Sequence, residues 1–325
     1  MVRIFLSVLL LSTWSWSYGA EFRKLVDLDR RALIFNVLYH DGRIFFPDST
    51  NKSIRVIDGK TLNQITSVFV GSTPGEMAAY GNHLFVSTFM KNYLTVIDTK
   101  SLDLLKAIDL TPEMLGPSAL AVSGKTVYVS DMGTRLIRTL SAENLRLGMI
   151  YNSGSGPYKM AASQGRIFII SVHNMVDPLM NTIRVLDGAS GAQLMEFEKP
   201  GNYNSIFRHT DGRVYTVAPS LKAMLSFEPG TLAVSSIPLL DVYWPQGLAS
   251  FGSKLLLLDR GSRDDGDKPA LLVIDPWLTR DHVVKVIDLK ELSGGLIKEP
   301  RAMAVTPDGN VVIQSVGMVS VVSGI

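Results

Sequence analysis

"PGEMAAYGNHLFVSTFMKNYLTVIDTKSLDLLKAIDL", residues 74–110, holds four short apolar runs separated by turns. The first opens at a Pro with a Met three residues on, and the turn "YGNH" follows it. Gly and Asn in that turn supply the positive-φ positions of a tight hairpin. "LFVST" and "YLTVID" alternate in the period-2 pattern of strands, and "LLKAIDL" closes the unit after a second turn. The stretch predicts a four-stranded antiparallel meander.

The unit recurs along the chain. Counterparts of its opening run are "PSALAVS" at 117, "PYKMAAS" at 157, "PQGLASF" at 245 and "PRAMAVT" at 300, with degenerate copies "IFNVLYH" at 34 and "NYNSIFR" at 202. Successive starts lie 40, 43, 40, 45, 43 and 55 residues apart. Each is followed by a Gly-containing turn and a second strand such as "IFFPD", "VYVSD" or "LLLLD". Third strands read "SIRVID", "TIRVLD" and "ALLVID". Four strands at this period are the mark of a propeller blade, so an all-β, seven-bladed β-propeller is expected.

The seventh unit supplies "RAMAV", "NVVIQS" and "MVSVVS" before Ile325, but no fourth strand. "FRKLVDL", residues 22–28, matches the fourth strands "LLKAIDL" and "VVKVIDL". The N-terminal segment is therefore expected to complete the last blade and close the ring.

Ahead of that strand, Arg3 and the apolar run at residues 4–11 read as an export signal too short to span a bilayer. Cleavage after Gly19 puts Ser17 and Gly19 at the two positions that should be small. Residues 1–19 are assigned as signal peptide and 20–325 as one propeller domain, periplasmic or secreted, with no stable membrane insertion after signal removal. Cysteine is absent, which excludes disulfides, thiolate metal sites and a cysteine nucleophile. The net charge of +2 implies no nucleic-acid partner. With 46% hydrophobic residues, stability has to come from buried apolar surface.

The second strands "VYVSD" and "LFVST", the "VID" third strands and the leader resemble the YVTN-type seven-bladed propellers of the quinoprotein amine-dehydrogenase-like group. The resemblance covers the chain beyond the leader, though no repeat spells the family tetrapeptide in full. It implies the fold, and propellers host binding modules and several enzyme classes alike.

In a propeller, first strands start and second strands end around the mouth of the central channel. First strands open with Asn36, Glu76, Ser118, Lys159, Asn204, Gln246 and Arg301, beside Tyr158 and Tyr203. Second strands end at Asp48, Thr88, Asp131, His173, Asn174, Asp259 and Arg260. A merely solvated rim and a ligand site both fit this placement. The long segments at 172–181, 259–269 and 290–299 land on the same face and favour a site for a small ligand or partner protein. The candidate residues are Asn36, Glu76, Tyr158, Lys159, His173, Asn204, Gln246, Asp259, Arg260 and Arg301. Cations near tyrosines suit an anionic or aromatic ligand. Arg301→Ala and Lys159→Ala are expected to weaken binding with the fold intact, whereas charges on opposite-face turns, such as Arg43 and Arg213, should matter little to it.

No cofactor or metal is implied. "DDGD", residues 264–267, lacks the spacing of a Ca²⁺ loop. His40, His83, His209 and His282 fall in separate blades away from the mouth. The recurring "VID" aspartates, Asp58, Asp98, Asp187 and Asp275, read as turn formers. Phosphate-loop and G-x-S-x-G signatures are missing. Beyond the leader only Trp244 and Trp277 remain, too few for the blade tryptophans of a pyrroloquinoline quinone propeller. Calcium-dependent lactonase-type hydrolases place Glu, Asn and Asp around the channel. Glu76, Asn36, Asn204 and Asp259 could supply that set, the alternative to a binding or scaffolding role.

Overall fold

The computed structural model describes residues 19–325 apart from 34, 89–90, 173–180, 200, 240–241 and 263–267. Seven four-stranded antiparallel sheets succeed one another along the chain. Six are plain meanders, as the repeats predict, with adjacent strands hydrogen-bonded in sequence order. Second strands such as His83–Thr88 and Arg43–Asp48 are buried along nearly their whole length. Fourth strands such as Leu104–Asp109 are mostly exposed. The sheets therefore stand radially, with first strands at the axis and fourth strands at the rim.

The core is divided between the blades. Among the described residues seven apolar clusters form, and each joins two adjacent sheets. Phe45, Ile54 and Val56 of blade 1 pack with Met77, Leu84 and Val86 of blade 2, for example. Each sheet thus buries both faces against neighbours, which explains second and third strands apolar on both sides rather than alternating cleanly.

Ring closure follows the expectation. Glu21–Asp27 pairs antiparallel with Met318–Ser323, from Glu21 opposite Ser323 to Asp27 opposite Met318. Phe22 packs on the cluster between blades 6 and 7. Leu25, Val26 and Leu28 pack between blades 7 and 1. No helix among the described residues is long and apolar enough to cross a membrane.

The face opposite the mouth is stitched by polar side chains. A ring nitrogen of His40 donates to the Gly81 carbonyl of the next blade at 2.6 Å, and one of His83 donates to Ala142 O at 2.8 Å. His209 meets Ser250 Oγ of the following blade at 2.8 Å. Arg43 donates to the Thr99 and Lys100 carbonyls of blade 2. Arg43 is thus an interblade tie, a structural role separate from the ligand binding for which the opposite-face charges are expected to matter little.

The "VID" aspartates shape the turns between third and fourth strands. Asp58 Oδ1 accepts from the Lys60 and Thr61 amides at 3.1 and 2.7 Å. Asp98 and Asp187 bind their turns in the same way, and Asp275 accepts from Trp277 N at 3.1 Å. Amide and hydroxyl donors of Thr61, Ser101 and Ser190 hold the carboxyls of Asp58, Asp98 and Asp187 below their ordinary value of 3.8. A depressed folded pKa gives stability that is complete above the unfolded value and is lost as pH falls through the folded one. Melting temperature should therefore lose this contribution only below about pH 4. Replacing all three with Asn should leave a shallower acid limb below about pH 4. An unchanged limb in pH-dependent melts would exclude these turns as its source.

Candidate functional site

The mouth is built where first strands begin. In blades 2, 3, 4 and 6 the register between first and second strands shifts just after the opening Pro. Such bulges re-aim the residues that follow. Asn36, Glu76, Lys159, Asn204, Gln246 and Arg301 all line one axial cavity of about 400 Å³. Leu38, Ile206, Leu248 and Met303 line it further along the same first-strand segments. A polar lip therefore stands over an apolar throat.

Charges on the lip are paired. Lys159 Nζ meets Glu76 Oε1, reaching from blade 4 to blade 2 past blade 3, which offers only Ser118 and Ala119 there. The ammonium also lies 5.9 Å from the Tyr158 ring centroid. Burial works against the Lys159 charge, but Glu76 and then Tyr158 outweigh it, so its pKa stands above the ordinary lysine value. Arg301 and Arg260 converge on one carboxylate oxygen of Glu299, at 2.7 and 2.9 Å. Glu299 has φ 45°, the left-handed region that non-glycine residues seldom adopt. A residue held there by two guanidinium groups marks a built feature.

The amides behave differently from one another. Asn36 donates to Met77 O at 2.8 Å and accepts from Met77 N at 3.0 Å, so its amide splices blade 1 to blade 2. Asn204 Nδ2 is buried and has no hydrogen-bond partner. An unpaired buried donor is costly, and a turn of the Asn204 side chain toward the cavity it lines would offer that donor to an acceptor there.

Several expected rim residues sit elsewhere. Asp259 is 2% exposed and accepts the Tyr243 and Trp244 amides at 3.1 and 2.7 Å. Asp131 receives Leu115 and Gly116 on one oxygen and Gly133 and Thr134 on the other. Asp48 is buried on the Asn51 amides and Arg55. Buried carboxylates require such donors, so second-strand ends organise the loops beneath the lip instead of forming it. Arg260 is likewise buried behind the lip on Glu299. Tyr203 is fully buried in the cluster between blades 4 and 5, its hydroxyl donating to Lys199 O at 2.7 Å. His173, Asn174 and residues 264–267 lie outside the described residues.

The four residues of the hydrolase alternative are engaged separately: Glu76 with Lys159, Asn36 with Met77, Asp259 with two backbone amides, Asn204 with none. Glu299 was not singled out by sequence, although it ends the connection at 290–299 and stands two residues before Arg301. Phe35 is a second omission; it lines the axial cavity and an adjoining one of about 510 Å³ toward blade 3. Its only signal is its place beside Asn36.

No family model matches the chain, and no curated protein matches it in sequence. Solved structures do. Hydrazine synthase from Kuenenia stuttgartiensis is 18% identical over 89% of this chain and 94% of that chain, with a TM-score of 0.70. A streptogramin B lyase is 14% identical, covering 94% and 97% with a TM-score of 0.72. Virginiamycin B lyase from Staphylococcus aureus is 12% identical over 94% and 99%, with a TM-score of 0.72. At these identities the likeness establishes the architecture and carries no activity: the chain is a seven-bladed β-propeller.

Proposed function

We propose that this is an exported binding protein, periplasmic or secreted, that takes a small ligand in the channel mouth. The buried, unpartnered Asn204 amide beside the axial cavity carries this reading. An acceptor on the ligand would satisfy that donor, Gln246 and Arg301 would complete the lip, and the throat would take an apolar portion. The export leader and the YVTN-type sequence features support the compartment and the class. The named enzymes that share the fold differ in chemistry, so function on this scaffold is set by the lip.

Arg301→Ala leaves Glu299 paired with Arg260 and should preserve the fold. Lys159→Ala strands the largely buried Glu76 and should cost stability as well. Binding of small carboxylates and amides, followed by ligand-observed NMR, should weaken about tenfold or more in Asn204→Ala and Arg301→Ala. Arg208→Ala, exposed on the opposite face, should leave it unchanged. Hits indifferent to both lip variants would put the site elsewhere.

A further inference from the structure

The second cavity, about 510 Å³, adjoins the axial one and shares Phe35, Glu76 and Lys159 with it. The Glu76–Lys159 pair is thus the partition between two chambers. Blade 3 makes the room. Its first strand opens with small side chains, and Gly116 and Gly133 flank the space. A Cβ at Gly116 would meet nothing within 4 Å, and this residue is not in the left-handed region. Gly75 on the far wall is different, since a Cβ there would lie 2.5 Å from Ser87 Oγ.

The larger side chains of the remaining walls are mostly apolar. Leu115 is 63% and Tyr158 40% exposed, and Met132 and Phe35 join them. Polar groups in the walls are already used: Asp131 by four backbone amides, Ser118 by Ser130 Oγ at 3.0 Å, and Ser87 by the Glu76 amide at 2.9 Å. Lys159 is the one cation lining the chamber among the described residues, and Glu76 is its one hydrogen-bond partner, leaving further N–H donors.

Resting on the mouth as a ligand site, we propose that this side chamber is a subsite for the flat apolar or aromatic part of a carboxylate ligand, whose carboxylate meets Lys159 at the partition. Apolar contact with Leu115, Met132, Phe35 and the Tyr158 ring would hold the body, and the ammonium would select the acid over its neutral analogue.

The test uses 2-naphthoate and 2-naphthamide on the whole exported chain, titrated by calorimetry with melts on every variant. 2-Naphthoate should bind, and the amide at least tenfold more weakly. Gly116→Phe, which fills the chamber, should weaken naphthoate at least tenfold. The neutral pair Glu76→Gln with Lys159→Met should erase the preference for acid over amide, and Arg208→Ala should change nothing. A readout free of substitution is the Met132 methyl resonance, which should shift with naphthoate. Naphthoate affinity unaffected by Gly116→Phe, or a silent Met132 methyl, overturns the subsite. Loss from Asn204→Ala with Gly116→Phe harmless moves the ligand to the channel and refutes the chamber alone. No naphthoate binding, while other fragments occupy the channel, refutes the chamber and spares the mouth. Failure of every fragment at both places refutes the two readings together.

Discussion

Deleting residues 21–29 should leave a protein that aggregates, or that melts far below the intact chain. The deletion removes the strand Glu21–Asp27 and exposes the edge of Met318–Ser323 along its length. It also strips Phe22 from one interblade cluster and Leu25, Val26 and Leu28 from another. Each half-buried side chain contributes about 1 kcal/mol, and the ladder hydrogen bonds add to that. A loss of roughly 5–10 kcal/mol is comparable to the whole net stability of a domain. The exposed edge then templates association. Calorimetry and size-exclusion chromatography on the truncated and intact chains check this. A truncated monomer melting cooperatively at the intact temperature would mean that the ring does not depend on its clasp.

Asp131→Ala should be the most damaging single change at the mouth, although Asp131 is not proposed to touch a ligand. Its carboxylate accepts four backbone amides at 2.6–3.1 Å. Hydrogen bonds to a charged acceptor are worth about 1.5–3 kcal/mol each when wholly buried, and these lie partly at the surface. A total loss of about 3 kcal/mol follows, lowering Tm by about 5 °C in a chain of this size. Asp259→Ala, with two such amides, should cost about half as much. Asp131→Asn should recover little, because an amide nitrogen turned toward N–H groups repels them. Ligand binding should fall in proportion to the disorder of the segments that carry Leu115, Tyr243 and Trp244, and recover at low temperature. Unchanged melts with abolished binding would make these carboxylates direct ligands and revive the hydrolytic alternative.

The fold was legible because its determinants are local and repeated. Alternation in "LFVST" or "VYVSD" and the Gly-containing turns after each first strand need no tertiary information. Even the clasp could be read, since "FRKLVDL" copies the composition of other fourth strands. The turns between third and fourth strands were less transparent. Their left-handed positions are filled by Leu62, Leu102, Leu145 and Leu232, with φ between 58° and 65°, where Gly or Asn would be expected. Each leucine packs against an interblade cluster, and that burial offsets the backbone strain.

The mouth was legible in outline because position in the repeat fixes which strand end faces the axis. Six of the ten candidate residues, Asn36, Glu76, Lys159, Asn204, Gln246 and Arg301, line the axial cavity. What each side chain does there depends on partners far away in sequence. Glu76 and Lys159 are 83 residues apart, and the Asn36 amide is spent on Met77 across a blade boundary. Asp259 and Tyr203 were misplaced for a related reason. Strand register gives the position of a residue along the blade, whereas burial decides whether it faces the axis or the neighbouring sheet. Tyr203 faces the sheet.

The most direct test of the mouth as the functional face is a crystallographic fragment screen. Crystals would be soaked in a mixed library of small carboxylates, amides and aromatic compounds. Density is predicted in the axial cavity, with an acceptor atom on Asn204 Nδ2 and contacts to Gln246 or Arg301. Fragments gathered on the histidine-stitched face or along the exposed fourth strands, with Asn204 still unpartnered at an empty mouth, would contradict the account.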